Sequence, residues 1–204
     1  MSARLRRSFY TRSALQVAPD LLGRVLVRML PDGRRLAARI VETEAYLPGD
    51  PASHAFIGMT RRNAVMFGRP GLLYVYFTYG NHWMLNAVAG RDGEGTAVLL
   101  RAAEPLDGLD VMAAHRGRDD PRDLCSGPGK LAKAFGVTGE HNGEDLVRGH
   151  ILYVLEGRPV SRSSVACTTR VGVNVGVDEP WRFFVDGDPF VSPGRPARGR
   201  TSRG

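Results

Sequence analysis

Two carboxylates and a phenol recur at every second position in Arg39-Ile-Val-Glu-Thr-Glu-Ala-Tyr46. In an extended chain that period puts Glu42, Glu44 and Tyr46 on one face and Val41, Thr43 and Ala45 on the other. Proton-transfer sites use such groups, because one carboxylate can raise its neighbour's pKa. The alternative is a polar strand face bathed in water, which is the commoner fate of a lone Glu-Thr-Glu. A second group of residues lies between 72 and 86, in Leu-Leu-Tyr-Val-Tyr-Phe-Thr-Tyr-Gly-Asn-His-Trp-Met-Leu-Asn. Tyr74 and Tyr76 share one face of this extended run, and Leu73, Val75 and Phe77 share the other. Tyr79 and His82 flank Gly80-Asn81, a pair that tolerates the positive φ of a tight turn. A ring on a protruding tip is poorly buried, and a large exposed ring implies contact with something. Taken alone, the run is better accounted for by ordinary sheet tyrosines with hydroxyls in water.

Further charged residues stand in places that need explaining. Arg101 follows Val98-Leu99-Leu100, so it must find a partner or an edge, since an unpaired buried charge is costly. Ser126-Gly-Pro-Gly-Lys130 presents backbone N–H groups at a helix start, a natural anion site that Lys130 reinforces. The spacing is not that of a Walker motif, and a DNA phosphate suits it better than a nucleotide. Arg61 and Arg62 stand in tandem in a loop, where they either clamp phosphates or face solvent. Cys125 and Cys167 are the only cysteines, and the five histidines are scattered. No metal site and no cofactor are expected.

The elements that must position these residues follow from periodicity and turn signals. Residues 13–22 read as a short helix broken at Pro19. Residues 24–30 alternate as a strand, a turn follows at 31–34, and 35–46 resumes the extended pattern. The 72–86 run is a hairpin, and 96–102 a buried strand closed by Glu104-Pro105. Residues 105–116 and 130–135 have helical spacing. Residues 151–156, 168–175 and 181–185 read as three more extended runs. The chain of 204 residues suits one domain with a real core.

Composition narrows the partner. Hydrophobic residues make up 43% and charged residues 24%, ordinary values for a globular protein. No apolar run approaches the length of a membrane span, and Met1-Ser-Ala-Arg-Leu-Arg-Arg lacks the apolar core of a signal peptide. A cytoplasmic protein is expected, nucleoid-associated if bacterial. The net charge of +7 points to a polyanion. All basic side chains except Lys130, Lys133 and the histidines are arginine, which suits phosphate, although a GC-rich genome gives the same bias.

Six motifs in order resemble the alkyladenine DNA glycosylases, also called 3-methyladenine or methylpurine DNA glycosylases. They are Ala18-Pro-Asp-Leu-Leu-Gly23, Arg39-Ile-Val-Glu-Thr-Glu-Ala-Tyr46, Pro70-Gly-Leu-Leu-Tyr-Val-Tyr76 with Tyr79-Gly80, Val98-Leu-Leu-Arg-Ala102, Leu124-Cys-Ser-Gly-Pro128 and Arg170-Val-Gly-Val173. The resemblance covers about residues 9–192, leaving a basic arm at 1–8 and a Pro-, Gly- and Arg-rich tail at 193–204 that reads as disordered. It implies a single α/β (α+β) domain, with a curved, largely antiparallel sheet flanked by helices and a protruding hairpin that inserts into DNA. The implied partner is double-stranded DNA with a damaged purine, bound by a monomer.

The resemblance also implies roles. Glu44 matches the general base that activates a water, with Arg101 and the backbone carbonyl of Val171 holding that water. Tyr46, His54 and Tyr76 match the aromatic walls around a base flipped from the stack. Asn86 matches the asparagine that excludes guanine, and Tyr79 the intercalating wedge, with Asn81, His82 and Lys130 expected on DNA beside it. Glu42 carries no family role, so its replacement by glutamine is expected to be mild. The hairpin departs from vertebrate members, which carry a bulkier Met-Tyr pair where this chain has Asn81-His82. Having only two lysines and a carboxylate at the catalytic position favours direct hydrolysis over a Schiff base. Two other classes compete: a non-catalytic nucleic-acid-binding module, and a small-molecule transferase of related β-rich architecture.

Overall fold

Alternating apolar residues make the first strand, β1 (Val25–Met29), and the turn after it returns the chain as β2 (Arg35–Tyr46). In the computed structural model, which describes residues 3–78 and 80–195, β2 is the spine of the molecule. The other strands are β3 (Leu73–Thr78), β4 (His82–Ala89), β5 (Thr96–Asp107), β6 (Leu152–Leu155), β7 (Val165–Thr168) and β8 (Arg182–Val185). They form one eight-stranded sheet in the order β3-β4-β5-β2-β1-β6, with β8 also on β2 and β7 on β8. Every pairing is antiparallel. The sheet curls, as the sequence leads one to expect. Its bend has a local cause: the β2–β5 register shifts between Ile40 and Glu42 and again between Glu42 and Thr43. Such a bulge bends a strand and increases its twist. Before it β2 pairs with β1, and after it with β8.

Among the described residues, five short helices, α1 (Arg7–Tyr10), α2 (Ala14–Asp20), α3 (Leu109–Arg116), α4 (Pro121–Leu124) and α5 (Pro128–Ala134), pack around the sheet. α2 starts on Ser13, whose side chain accepts from Leu15 N, and carries Pro19 in its last turn. It packs on β2, and α5 packs on β4 and β5. Ile40, Leu73, Leu85, Leu100, Leu131 and Phe135 meet in the core between helices and sheet. Tyr74, Val88 and Ala97 face the other way, toward Ala55 and Met66 of the 47–71 loop. The period-two split of the hairpin thus becomes a core side and a loop-covered side.

Three spans differ from the sequence expectation. β5 continues through Pro105 to Asp107 because Pro105 lies at a register shift opposite Ala38, where a missing N–H is tolerated. The following helix therefore starts only at Leu109. The expected strand at 168–175 is instead β7 at Val165–Thr168, and 169–175 is irregular. The cause is Arg170, which is fully buried and bonds the carbonyls of Ala45 and Gly176 and the Asp50 carboxylate. At the N-terminus, Leu5 is buried and its amide donates to Val154 O at 2.9 Å. Most of the tail expected to be disordered, from residue 196 on, lies outside the described residues. Among the described residues no helix is long and apolar enough to cross a membrane.

Candidate active site

Past its bulge, β2 is flanked by β5 and β8, and its polar face is dry. Glu42 and Glu44 are both fully buried, which rules out the water-bathed alternative. Glu42 Oε1 accepts from Arg101 Nε at 2.8 Å, Arg182 Nε at 2.7 Å and Ser192 Oγ at 2.9 Å, and Oε2 accepts from Ser192 N at 2.8 Å. Burial pushes this carboxyl up, but the Arg101 and Arg182 guanidinium groups outweigh it and hold it below its ordinary value. Glu42 is therefore an anion and the anchor of two buried arginines, contacts that the family motif does not announce.

Glu44 sits beside this anchor. Its Oε1 accepts from Val171 N at 2.7 Å and lies 3.3 Å from Arg101 Nη1. Its Oε2 accepts from Tyr46 OH at 3.0 Å. Arg101, 5% exposed, thus spans both carboxylates, which is the partner that the run Val98-Leu99-Leu100 demanded. Burial, then the Glu44 charge, raise the Tyr46 phenol well above its ordinary pKa. It stays protonated and donates. The contact that ties Val171 to Glu44 is its amide.

Tyr46, Arg101 and Val171 border a cavity of about 440 Å³, which His54, Tyr74, Tyr76 and Asn86 also line. The His54 and Tyr76 rings meet edge-on, centroids 4.3 Å apart at 68°, and Tyr74 lies 5.5 Å from Tyr76. His54 Nδ1 is 2.9 Å from Tyr74 OH. Burial raises Tyr74 to about 12. Burial, then the Arg62 charge, lower His54, so this pair is neutral at pH 7. Asn86, 4% exposed, donates from Nδ2 to Tyr74 O at 3.2 Å, which fixes its amide in the cavity wall. The volume is that of a small-molecule site, and its aromatic lining suits a flat ring.

Several contributors escaped the sequence reading. In the sequence Tyr74 stands out only as a strand neighbour of Tyr76. Arg170 belongs to a motif that gives it no task of its own, yet its guanidinium lies 4.8 Å from the Tyr46 ring centroid and 5.0 Å from that of Trp181. It pairs with Asp50 in a bidentate way, one contact being Nη2–Oδ1 at 3.0 Å. Arg170 therefore braces the Tyr46 ring and positions the adjacent Val171 amide. Asp50, Arg182 and Ser192 carried no sequence signal, because each gains its meaning from a partner far along the chain.

The tip of the hairpin brings fewer residues to the cavity than its two strands do. Tyr79 lies outside the described residues. Its neighbour Thr78 lines the cavity, and Gly80 takes φ +69° in the turn. Asn81 and His82 are exposed, and the ring of His82 rests on Gly129 of α5, where even a Cβ would come within 2.9 Å of it. Lys130 Nζ is 3.1 Å from Ser126 Oγ and 3.3 Å from Asp123 Oδ1, so Asp123 already meets part of the charge expected for an anion. No group of three or more His, Cys, Asp or Glu among the described residues is placed to hold a metal ion.

A family model described as methylpurine-DNA glycosylase matches residues 8–189. Three similar relatives are provisionally named 3-methyladenine DNA glycosylases. The one from Carboxydothermus hydrogenoformans is 48% identical over 188 residues, covering 92% of this chain and 98% of the relative. The one from Chlorobaculum parvum is 46% identical over 204 residues, covering 98% and 97%. That from Methanoculleus marisnigri is 48% identical over 187 residues, covering 91% and 96%.

Proposed function

The chain belongs to the methylpurine-DNA glycosylase family, and from that premise we propose that it hydrolyses the N-glycosidic bond of damaged purines extruded from duplex DNA. The observation that carries this reading is the buried Glu44 carboxylate, fixed by Val171 N, Arg101 and Tyr46 directly behind an aromatic cavity. A pure nucleic-acid binder gains nothing from a carboxylate there, since it repels phosphates.

In this scheme the extruded base enters between Tyr46, His54 and Tyr76. A water attacks the sugar C1′ as the C1′–N bond breaks. The bonding electrons leave with the base, and Glu44 takes the proton of the water. Arg101 and the Val171 backbone border the water's position. Tyr46 remains protonated and orients Glu44 without competing for the proton. An alkylated purine carries positive charge and leaves as a neutral base, so orientation of the attack does most of the work. Hypoxanthine is neutral and also requires a proton on the leaving base. The test is a panel of duplexes, each with one damaged purine, assayed for free base. Release from methylated purines and none from the undamaged duplex is expected; no release from any member of the panel sinks the reading.

Asn86 is the selective element of this scheme. Asn86→Ala should raise release of undamaged guanine from duplex DNA, because exclusion by an amide in the wall is steric and polar rather than catalytic. Guanine release equal to wild type would move exclusion elsewhere in the pocket.

Tyr79, by its place in the sequence between Thr78 and Gly80, is the residue proposed to fill the gap left by the extruded base. Stacking on an aromatic ring is worth about 1–3 kcal/mol per base, so Tyr79→Ser should weaken lesion binding roughly 5- to 150-fold. The loss should be greatest in well-paired duplex and smaller opposite a mismatch, where unstacking is partly done. Equal losses on both duplexes would make Tyr79 a surface contact and not a wedge.

A further inference from the structure

Next to His54 the chain exposes three large apolar side chains within four residues: Phe56 at 54%, Ile57 at 79% and Met59 at 62%. A loose loop would fold such residues in, but this one is braced from beneath. Asn63, buried, donates from Nδ2 to His54 O at 2.7 Å and Gly58 O at 3.0 Å, and its Oδ1 accepts from Thr60 N at 2.6 Å. The turn is thereby held in a shape that presents its apolar side chains outward.

Its surroundings say what it faces. Phe56 and Ile57 line a cleft of about 260 Å³ whose other wall is His54 and Tyr74, two residues that also line the active cavity. Cleft and cavity thus share a partition. Arg61 and Arg62 follow the turn and are exposed. Arg62 Nη2 donates to Phe77 O at 2.9 Å, tying the turn to the hairpin strand. An apolar turn, two exposed guanidinium groups and a shared wall with the cavity form one continuous surface.

We infer that the turn at residues 56–59 is a second DNA-contacting element. Its apolar side chains press on the deoxyribose and base edges of a nucleotide flanking the extruded one, and Arg61 and Arg62 meet the phosphates alongside. The assignment rests on the proposed function for the direction of the duplex across the cavity mouth. Sugar rings and base edges are the apolar surfaces of DNA, and phosphates are its anions, so the patch matches the duplex in both respects. A protein partner or a second copy would use the apolar residues and leave the two arginines unanswered.

The experiment measures binding to an undamaged duplex by anisotropy, so that it does not depend on base release. Ile57→Ser/Met59→Ser alters two largely exposed side chains, and its thermal midpoint should match wild type. Its Kd should rise on the order of 10-fold, with the salt slope of binding unchanged, since no phosphate contact is lost. Arg61→Ala should instead lower the salt slope by about 1. A double variant that binds within two-fold of wild type overturns the inference. So does a wild type that dimerises in sedimentation through this patch while the variant is monomeric and binds DNA normally. A wild type that binds duplex through the turn but releases no damaged base overturns the proposed activity and leaves this inference standing.

Discussion

Glu44→Gln is expected to lower the single-turnover rate of damaged-base release by at least ~10²-fold, with lesion binding retained. Glutamine has the length of glutamate and still accepts a hydrogen bond, so the Val171 amide keeps a partner. Arg101 keeps the Glu42 carboxylate at 2.8 Å, so no buried guanidinium is left without an anion. What disappears is the group able to take a proton from water. The carboxylate is fully buried, held from three sides, and already in place before substrate arrives, which spares reorganisation during the reaction. The measurement is a time course of free-base release with enzyme in excess, beside anisotropy on the same lesion duplex. A variant that excises at near the wild-type rate would remove Glu44 from the chemistry. One that no longer binds the lesion would show that glutamine disturbs the cavity, and the rate would then say nothing of proton transfer.

Glu42→Gln should cost more in stability than any other single change proposed. The substitution leaves Arg182 without a charged partner and Arg101 with Glu44 alone, in a region where Arg101, Arg182 and Ser192 are all less than a tenth exposed. Removing one partner of a buried ion pair costs about 3–5 kcal/mol, a large share of the ~5–15 kcal/mol that holds a typical domain folded. Denaturant unfolding should show this as a lowered midpoint at unchanged slope. Base release should fall as well, since Arg101 then loses its tether. The pH dependence has a definite sign. Glu42 titrates in the folded protein below its ordinary value of 4.5. Its contribution is fully present above that value and is lost as pH falls through the lowered folded pKa. Wild type and Glu42→Gln should therefore converge in stability in acid and diverge toward neutrality. Equal stability at pH 7 would mean that the arginines find other anions, and the anchoring role would be wrong.

Sequence-local physics determined a good deal of this protein. Period-two alternation placed Glu42, Glu44 and Tyr46 on one side of β2, and Tyr74 and Tyr76 on one side of β3, because side-chain direction in a strand depends only on the backbone. Gly80-Asn81 marked the hairpin turn for a similar reason, the positive φ that few residues tolerate. The ordered motifs pointed to the family before any contact was known. Tertiary structure alone decided whether the Glu-Thr-Glu face is wet or dry. Its dryness comes from Arg182 and Ser192, which are 140 and 150 residues away from Glu42, and from Val171, 127 residues from Glu44. The strand expected at 168–175 failed on the same ground: Arg170 finds Asp50, 120 residues back, and that buried pair outweighs local β-propensity. Burial and charge pairing are sums over everything that surrounds a group in space. A strand pattern states which way a side chain points, and only the returning chain settles what it meets there.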